Sequence, residues 1–246
     1  MFLTSPYVNN GAAFGGFSAE PGLQVIDEVA TFSFFISDLS IKLRAENSHG
    51  GVMQVEVVKL HNLSRDPLMF AHLSRSCFEC GRTFPGSKTA KRIMLDVERQ
   101  RGLGPEEANY FALDLVVCIL GLPDVEEVTL RGLPLQELLT TLEFLCGSSG
   151  SRIPCQNLKK LHIESSPISS PLPLLVKLNK VLTDRKSAGV TLHSISVRAK
   201  CDASIPISNH GGFLDSWKRL VEGDVRIECE EVKTLPMSRH RIWGEL

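Results

Sequence analysis

The chain has 246 residues, 43% of them hydrophobic and 22% charged, with 27 basic against 28 acidic side chains and a net charge of −1. There is ample material for a core, and the near-neutral balance argues against a polybasic nucleic-acid or membrane-surface binder. The longest nearly continuous apolar run, Leu113 to Leu122 with Asp114 inside it, falls well short of the roughly 18 residues that cross a bilayer. Seven scattered cysteines suit free thiols in a reducing compartment, cytoplasmic or nuclear, better than a disulfide framework.

Residues 1–35 read as an N-terminal arm, partly disordered: the first 20 are rich in Gly, Ala, Asn and Ser and hold no basic residue and no secretory signal. Leu23, Ile26 and Val29 fall three apart, as on a short helix, and Leu39, Ile41 and Leu43 alternate as on a strand. A turn is predicted over Asn47 to Gly51. The pattern apolar-x-x-apolar-x-apolar then begins at Val52, Ala90, Val125, Leu158 and Leu192, about 33 to 38 residues apart, and recurs off-period at Ile36. Strands are predicted near 52–60, 91–97, 125–131, 158–164 and 192–198, which makes residues 36–232 one repeat-built domain and 233–246 a C-terminal tail.

Between the strands, Pro67, Pro105, Pro134 and Pro171 stand where helices would open, and Gly81, Gly121, Gly147 and Gly189 where they would end. Proline at the first helical position gives up only an amide that had no intrahelical partner, and glycine takes the left-handed cap freely. Leu135, Leu138, Leu139, Leu142 and Leu145 form one apolar stripe, and Leu174, Leu175, Leu178, Val181 and Leu182 form another. A last unit places Phe213, Trp217, Leu220 and Val221 on a helix and Val225 and Ile227 on a strand, with Glu222, Asp224, Glu228, Glu230 and Glu231 as solvated charge guarding a sheet edge.

At VEEVTLRGL, LKKLHIES and LHSISVRAKC the chain resembles leucine-rich-repeat proteins, in particular the long irregular repeats of fungal F-box proteins, over roughly residues 52–230. The resemblance implies a leucine-rich-repeat-like βα solenoid of the α/β class, a curved parallel sheet with helices on its convex side. It also implies a non-catalytic protein-interaction module, the substrate-recognition part of an F-box type ubiquitin ligase receptor, joined to a cullin ligase adaptor where an F-box lies upstream. The Asn or Cys usual after LxxLxL is replaced by Leu133, Ser166 and Lys200, and no F-box is found before Val52, where too little chain stands to hold one comfortably even with PGLQVIDEV read as a distorted remnant.

In a solenoid, residues between the pattern positions face solvent and recognise the partner. These are Gln54, Glu56 and Val58; Arg92, Met94 and Asp96; Glu127, Thr129 and Arg131; Lys160, His162 and Glu164; Ser194, Ser196 and Arg198. Their four positive and four negative charges fit a mixed polar protein epitope better than a phosphate backbone, and solvated strand faces would look the same.

Sharper chemical motifs fail on spacing. CFECGRTF from Cys77 has a zinc-finger knuckle, but Ile93 stands where the first histidine should be. GRTFPGSKT from Gly81 nearly spells a phosphate loop, with Lys88 one residue late. CGSSGS from Cys146 lacks the elbow spacing of a nucleophilic serine, and Cys118 sits in an apolar run. No metal, cofactor, nucleic acid or membrane partner is expected. Two alternatives stay open: a doubly wound α/β enzyme or nucleotide-binding domain, and a gene fragment without independent activity.

Overall fold

The computed structural model describes residues 28–37, 40–58, 87–98, 122, 124–146, 153–202 and 211–232. They form a mixed eight-stranded open sheet in the order β3-β2-β1-β4-β5-β6-β7-β8. The strands are β1 (Thr31–Ser37), β2 (Ser40–Glu46), β3 (Val52–Val58), β4 (Arg92–Glu98), β5 (Glu127–Arg131), β6 (Lys160–Glu164), β7 (Ser194–Asp202) and β8 (Val225–Val232). From β1 through β4 to β8 every pair is parallel, whereas β1–β2 and β2–β3 are antiparallel.

Three described helices lie in the crossovers: α1 (Leu135–Cys146), α2 (Leu172–Ser187) and α3 (Gly211–Leu220). They open where proline or a loop frees the first amides; Pro171 stands at the start of α2, and the Leu138 amide donates to the Pro134 carbonyl at 3.0 Å. The predicted stripes are the buried faces: Leu138, Leu142 and Leu145 on α1, and Leu174, Leu175, Leu178, Val181 and Leu182 on α2, join one core with a single face of the strands. α1 packs beside α2 and α2 beside α3. Trp217 of α3 is fully buried, with Phe213 edge-on to it at 6.4 Å.

The repeating pattern is realised the same way in each unit. Its second and third positions are inward strand residues in register: Ile93, Val128, Leu161 and Ile195 in one row, and Leu95, Leu130, Ile163 and Val197 in the next. Its first position, Ala90, Val125, Leu158 or Leu192, is buried just before the strand begins. Each loop locks to the previous unit as well, with the amides of Lys159 and Lys160 donating to the Glu126 carbonyl and those of His193 and Ser194 to the Lys159 carbonyl.

Two expectations are corrected. The segment from Val52 is not the first unit of a parallel array; it is an edge strand paired antiparallel to β2, so Glu56 lies beside Lys42, with β2 and β1 between it and β4. The predicted turn is the reason: Asn47 Oδ1 accepts from the amides of His49 and Gly51 at 3.0 and 2.7 Å, and so tight a loop joins only antiparallel strands. Residues 31–35, read as part of the arm, belong with 36 and 37 to β1 in the sheet interior, across the boundary placed after residue 35. Phe32, Phe34 and Ile36 point into the core, pairing in register with Ile93, Leu95 and Val97.

A buried cation ties α2 to the loop before β6. Arg185 is fully buried, and its guanidinium donates to the carbonyls of Pro154 at 3.1 Å and Cys155 at 2.8 Å, with a weaker 3.5 Å approach to Leu158. A charge taken out of water in this way depends on those acceptors. The CFECGRTF knuckle, most of GRTFPGSKT, Cys118, the rest of CGSSGS after Cys146, the C-terminal tail, and Pro67, Pro105, Gly81 and Gly121 lie outside the described residues.

Candidate functional site: the open face of the sheet

All described helices cover one face of the sheet, and the opposite face holds the residues singled out between the pattern positions. Parallel pairing sets them in rows across the strands. One row runs Arg92, Glu127, Lys160, Ser194; a second runs Met94, Thr129, His162, Ser196; a third runs Asp96, Arg131, Glu164, Arg198, Glu228. β1 and β2 extend the second row with Ser33 and Arg44, and the third with Phe35 and Lys42, which reaches Glu56 on β3. Thus twelve of the fifteen predicted face residues stand side by side, and the three on β3, Glu56 among them, are displaced to the hairpin edge.

The rows differ in chemistry. The second carries no carboxylate, and Ser33, only 7% exposed, lies at its floor between the larger Arg44 and Met94. The third alternates in sign at every step from Asp96 to Glu228. Ion pairs join neighbouring strands: Arg131–Glu164 at 3.9 Å, Lys200–Glu164 at 2.8 Å, Arg198–Glu228 at 3.1 Å, Lys160–Glu127 at 4.0 Å and Lys42–Glu56 at 3.1 Å. His162 Nε2 lies 3.8 Å from the Glu127 carboxylate. At the entry to the strands Glu126 bridges Lys91 at 3.4 Å and Lys159 at 2.9 Å.

These contacts hold two carboxyls below the ordinary glutamate range: Glu164 chiefly through the hydrogen bond from Lys200, Glu126 chiefly through that from Lys159. Each surface pair is worth little alone, about 0–1 kcal/mol. Together they fix side chains in rows and leave a surface of balanced charge.

At the C-terminal ends of β1, β4 and β5 the face dips into a groove of about 570 Å³. Phe35, Asp96, Glu98, Arg131 and Glu164 line it, with Lys42 and Lys200 at its sides, and Gly132 is part of its wall. Gly132 takes φ +68°, and a β-carbon on it would stand 2.0 Å from the Val97 carbonyl oxygen, so β4 and the exit of β5 approach as closely as backbone allows. Neither groove nor close approach carried a signal in the sequence, because both arise from strands 35 residues apart. Among the described residues no group of three or more His, Cys, Asp or Glu is placed to hold a metal ion. No described helix is long and apolar enough to cross a membrane.

Comparison with family models, with curated proteins and with solved structures returns no match for this chain.

Proposed function

We propose that this chain is a non-catalytic protein-interaction module, a leucine-rich-repeat-like βα solenoid that recognises a protein partner through the open sheet face. One observation carries the reading. From β4 to β8 successive strands lie side by side in chain order, with the described helices on one face and a continuous polar surface on the other. A surface with ordered side chains and alternating charge suits the polar, partly hydrated contacts of a protein interface. The F-box resemblance extends the proposal to the recognition part of a ubiquitin ligase receptor. The test is affinity purification of the tagged chain beside the triple reversal Arg131→Glu, Lys160→Glu, Arg198→Glu, with circular dichroism as the folding control. Loss of specific partners with the fold intact supports the face; unchanged capture refutes it, and recovery of a cullin adaptor bears on the ligase extension.

A second reading is an α/β ligand-binding domain. It draws on the groove, which lies at the carboxyl ends of parallel strands where the chain order reverses beside β1, the place where open α/β sheets take ligands. A saturable rise in melting temperature with nucleotides would favour it.

A further inference from the structure

The charge ladder on the open face breaks at one strand. Arg92, Asp96 and Glu98 all belong to β4, and none makes an ion pair among the described residues. Their isolation has a structural cause on each side. β1, the neighbour on one flank, reads TFSFFIS and has no charge to offer. On the other flank Glu127 and Arg131 stand in register with Arg92 and Asp96 and bear the opposite sign, yet both turn away. Glu127 is engaged by Lys160 and His162, and Arg131 by Glu164. Glu164 is therefore a positioning residue, drawing Arg131 off the carboxylate beside it.

β4 consequently presents a cation at its start, Met94 in the middle with Phe35 nearby, and two carboxylates at its end beside the groove. Same-face residues on a strand repeat every ~6.6 Å, so Arg92 and Asp96 stand roughly 13 Å apart. Charges already paired across the sheet contribute to the face as a whole; unpaired ones of opposite sign at fixed separation select in addition for a complementary pair.

Building on the interaction-face reading, we propose that β4 is the recognition strip, and that its occupant is an extended protein segment presenting an acidic, an apolar and a basic side chain on one side at alternate positions. The acidic group meets Arg92, the apolar group rests on Met94 and Phe35, and the basic group enters the groove to Asp96 and Glu98.

The test uses the full ¹⁵N-labelled chain titrated with short capped peptides of the pattern Glu-x-Leu-x-Lys, with serine at x. Controls carry two glutamates or two lysines. The expected result is amide shifts centred on β4 and affinity about tenfold tighter for the mixed-charge peptide. Arg92→Glu should move the preference to the two-lysine peptide, and Asp96→Lys with Glu98→Lys to the two-glutamate peptide. All three side chains are solvent-facing and make no ion pair among the described residues, and the amide spectrum of each variant reports its folding directly. Glu164→Gln should weaken the mixed-charge peptide, because Arg131 is then free to neutralise Asp96. A preference that does not move with these charges overturns the strip. Shifts on the open face away from β4, or no shifts, overturn the strip and leave the interaction-face reading to the capture test; shifts confined to the helices overturn both.

Discussion

Gly132→Ala tests whether β4 and β5 are held as closely as the fold requires. Alanine at φ +68° meets the ordinary left-handed penalty of about 1 kcal/mol, and its β-carbon would also stand 2.0 Å from the Val97 carbonyl where at least 3.0 Å is needed. The obstacle is backbone, so relief of about 1 Å must come from the two strands themselves, an overpacking cost of roughly 2 kcal/mol. Gly189 is the internal control: it has φ +72° with nothing within 4 Å, so Gly189→Ala incurs the conformational penalty alone. The lower entropy of the unfolded chain offsets both substitutions by a similar few tenths to 1 kcal/mol. Gly132→Ala should therefore be less stable than Gly189→Ala by about 2 kcal/mol. In urea, with an m-value of about 2 kcal/mol/M, the two midpoints should lie about 1 M apart. Coincident midpoints with unchanged m-values would show that β5 does not exit against Val97, and the groove would lose one wall.

Other outcomes follow from groups already described. Arg185→Met should cost about 3 kcal/mol in urea unfolding, because the carbonyls of Pro154 and Cys155 lose a charged donor inside the core; a loss under 1 kcal/mol would contradict that role. Burial pushes the Cys155 thiol up to about 11. Iodoacetamide at pH 8 should therefore modify it roughly a hundredfold more slowly than in the urea-unfolded chain, followed by mass spectrometry, and equal rates would refute its burial. The Glu164 carboxyl is lowered in the folded chain by Lys200, so its contribution is complete above the ordinary glutamate range and is lost as pH falls through the folded value. Glu164→Gln should be less stable than the parent near neutrality and converge with it in acid; a gap that stays constant with pH would rule out the ion pairs as its source. Trp217→Ala should cost about 3–5 kcal/mol, since the indole is fully buried under α3.

The parallel half of the sheet was legible because two periods agree in it. An apolar pair two apart marked each inward face, and a proline-opened leucine stripe marked the next helix, so the rows Met94–Thr129–His162–Ser196 and Asp96–Arg131–Glu164–Arg198 could be written from the sequence. Arg185 also carried a signal, since it falls three residues after Leu182 and four after Val181, on the stripe. β1 was missed because Phe35 faces outward and joins Phe34 and Ile36 in an unbroken apolar run that hides the period of two. The Val52 strand matched the pattern in every apolar position, and only the turn chemistry ahead of it distinguishes a hairpin from a repeat unit. Pattern matching alone reads inward faces; it does not read which strand is next door, which is why neither the edge position of Glu56 nor the lack of ion pairs on β4 among the described residues carried a signal.

The order of strands also governs how the chain is completed as it leaves the ribosome. After β4 each strand needs only the unit just made: the side-chain bonds Lys159–Glu126, Arg198–Glu228 and Ser216–Asn179 span 33, 30 and 37 residues. β1 is different, since its second neighbour begins 61 residues later, at Arg92 opposite Thr31. Until β4 is made, the β1 edge of the β1–β2–β3 meander lacks its second neighbour and carries no charge to repel a stray strand. Among the described strands β1 is thus the one whose edge waits longest in the order of synthesis for its partner, and it has no charged side chain to guard that edge.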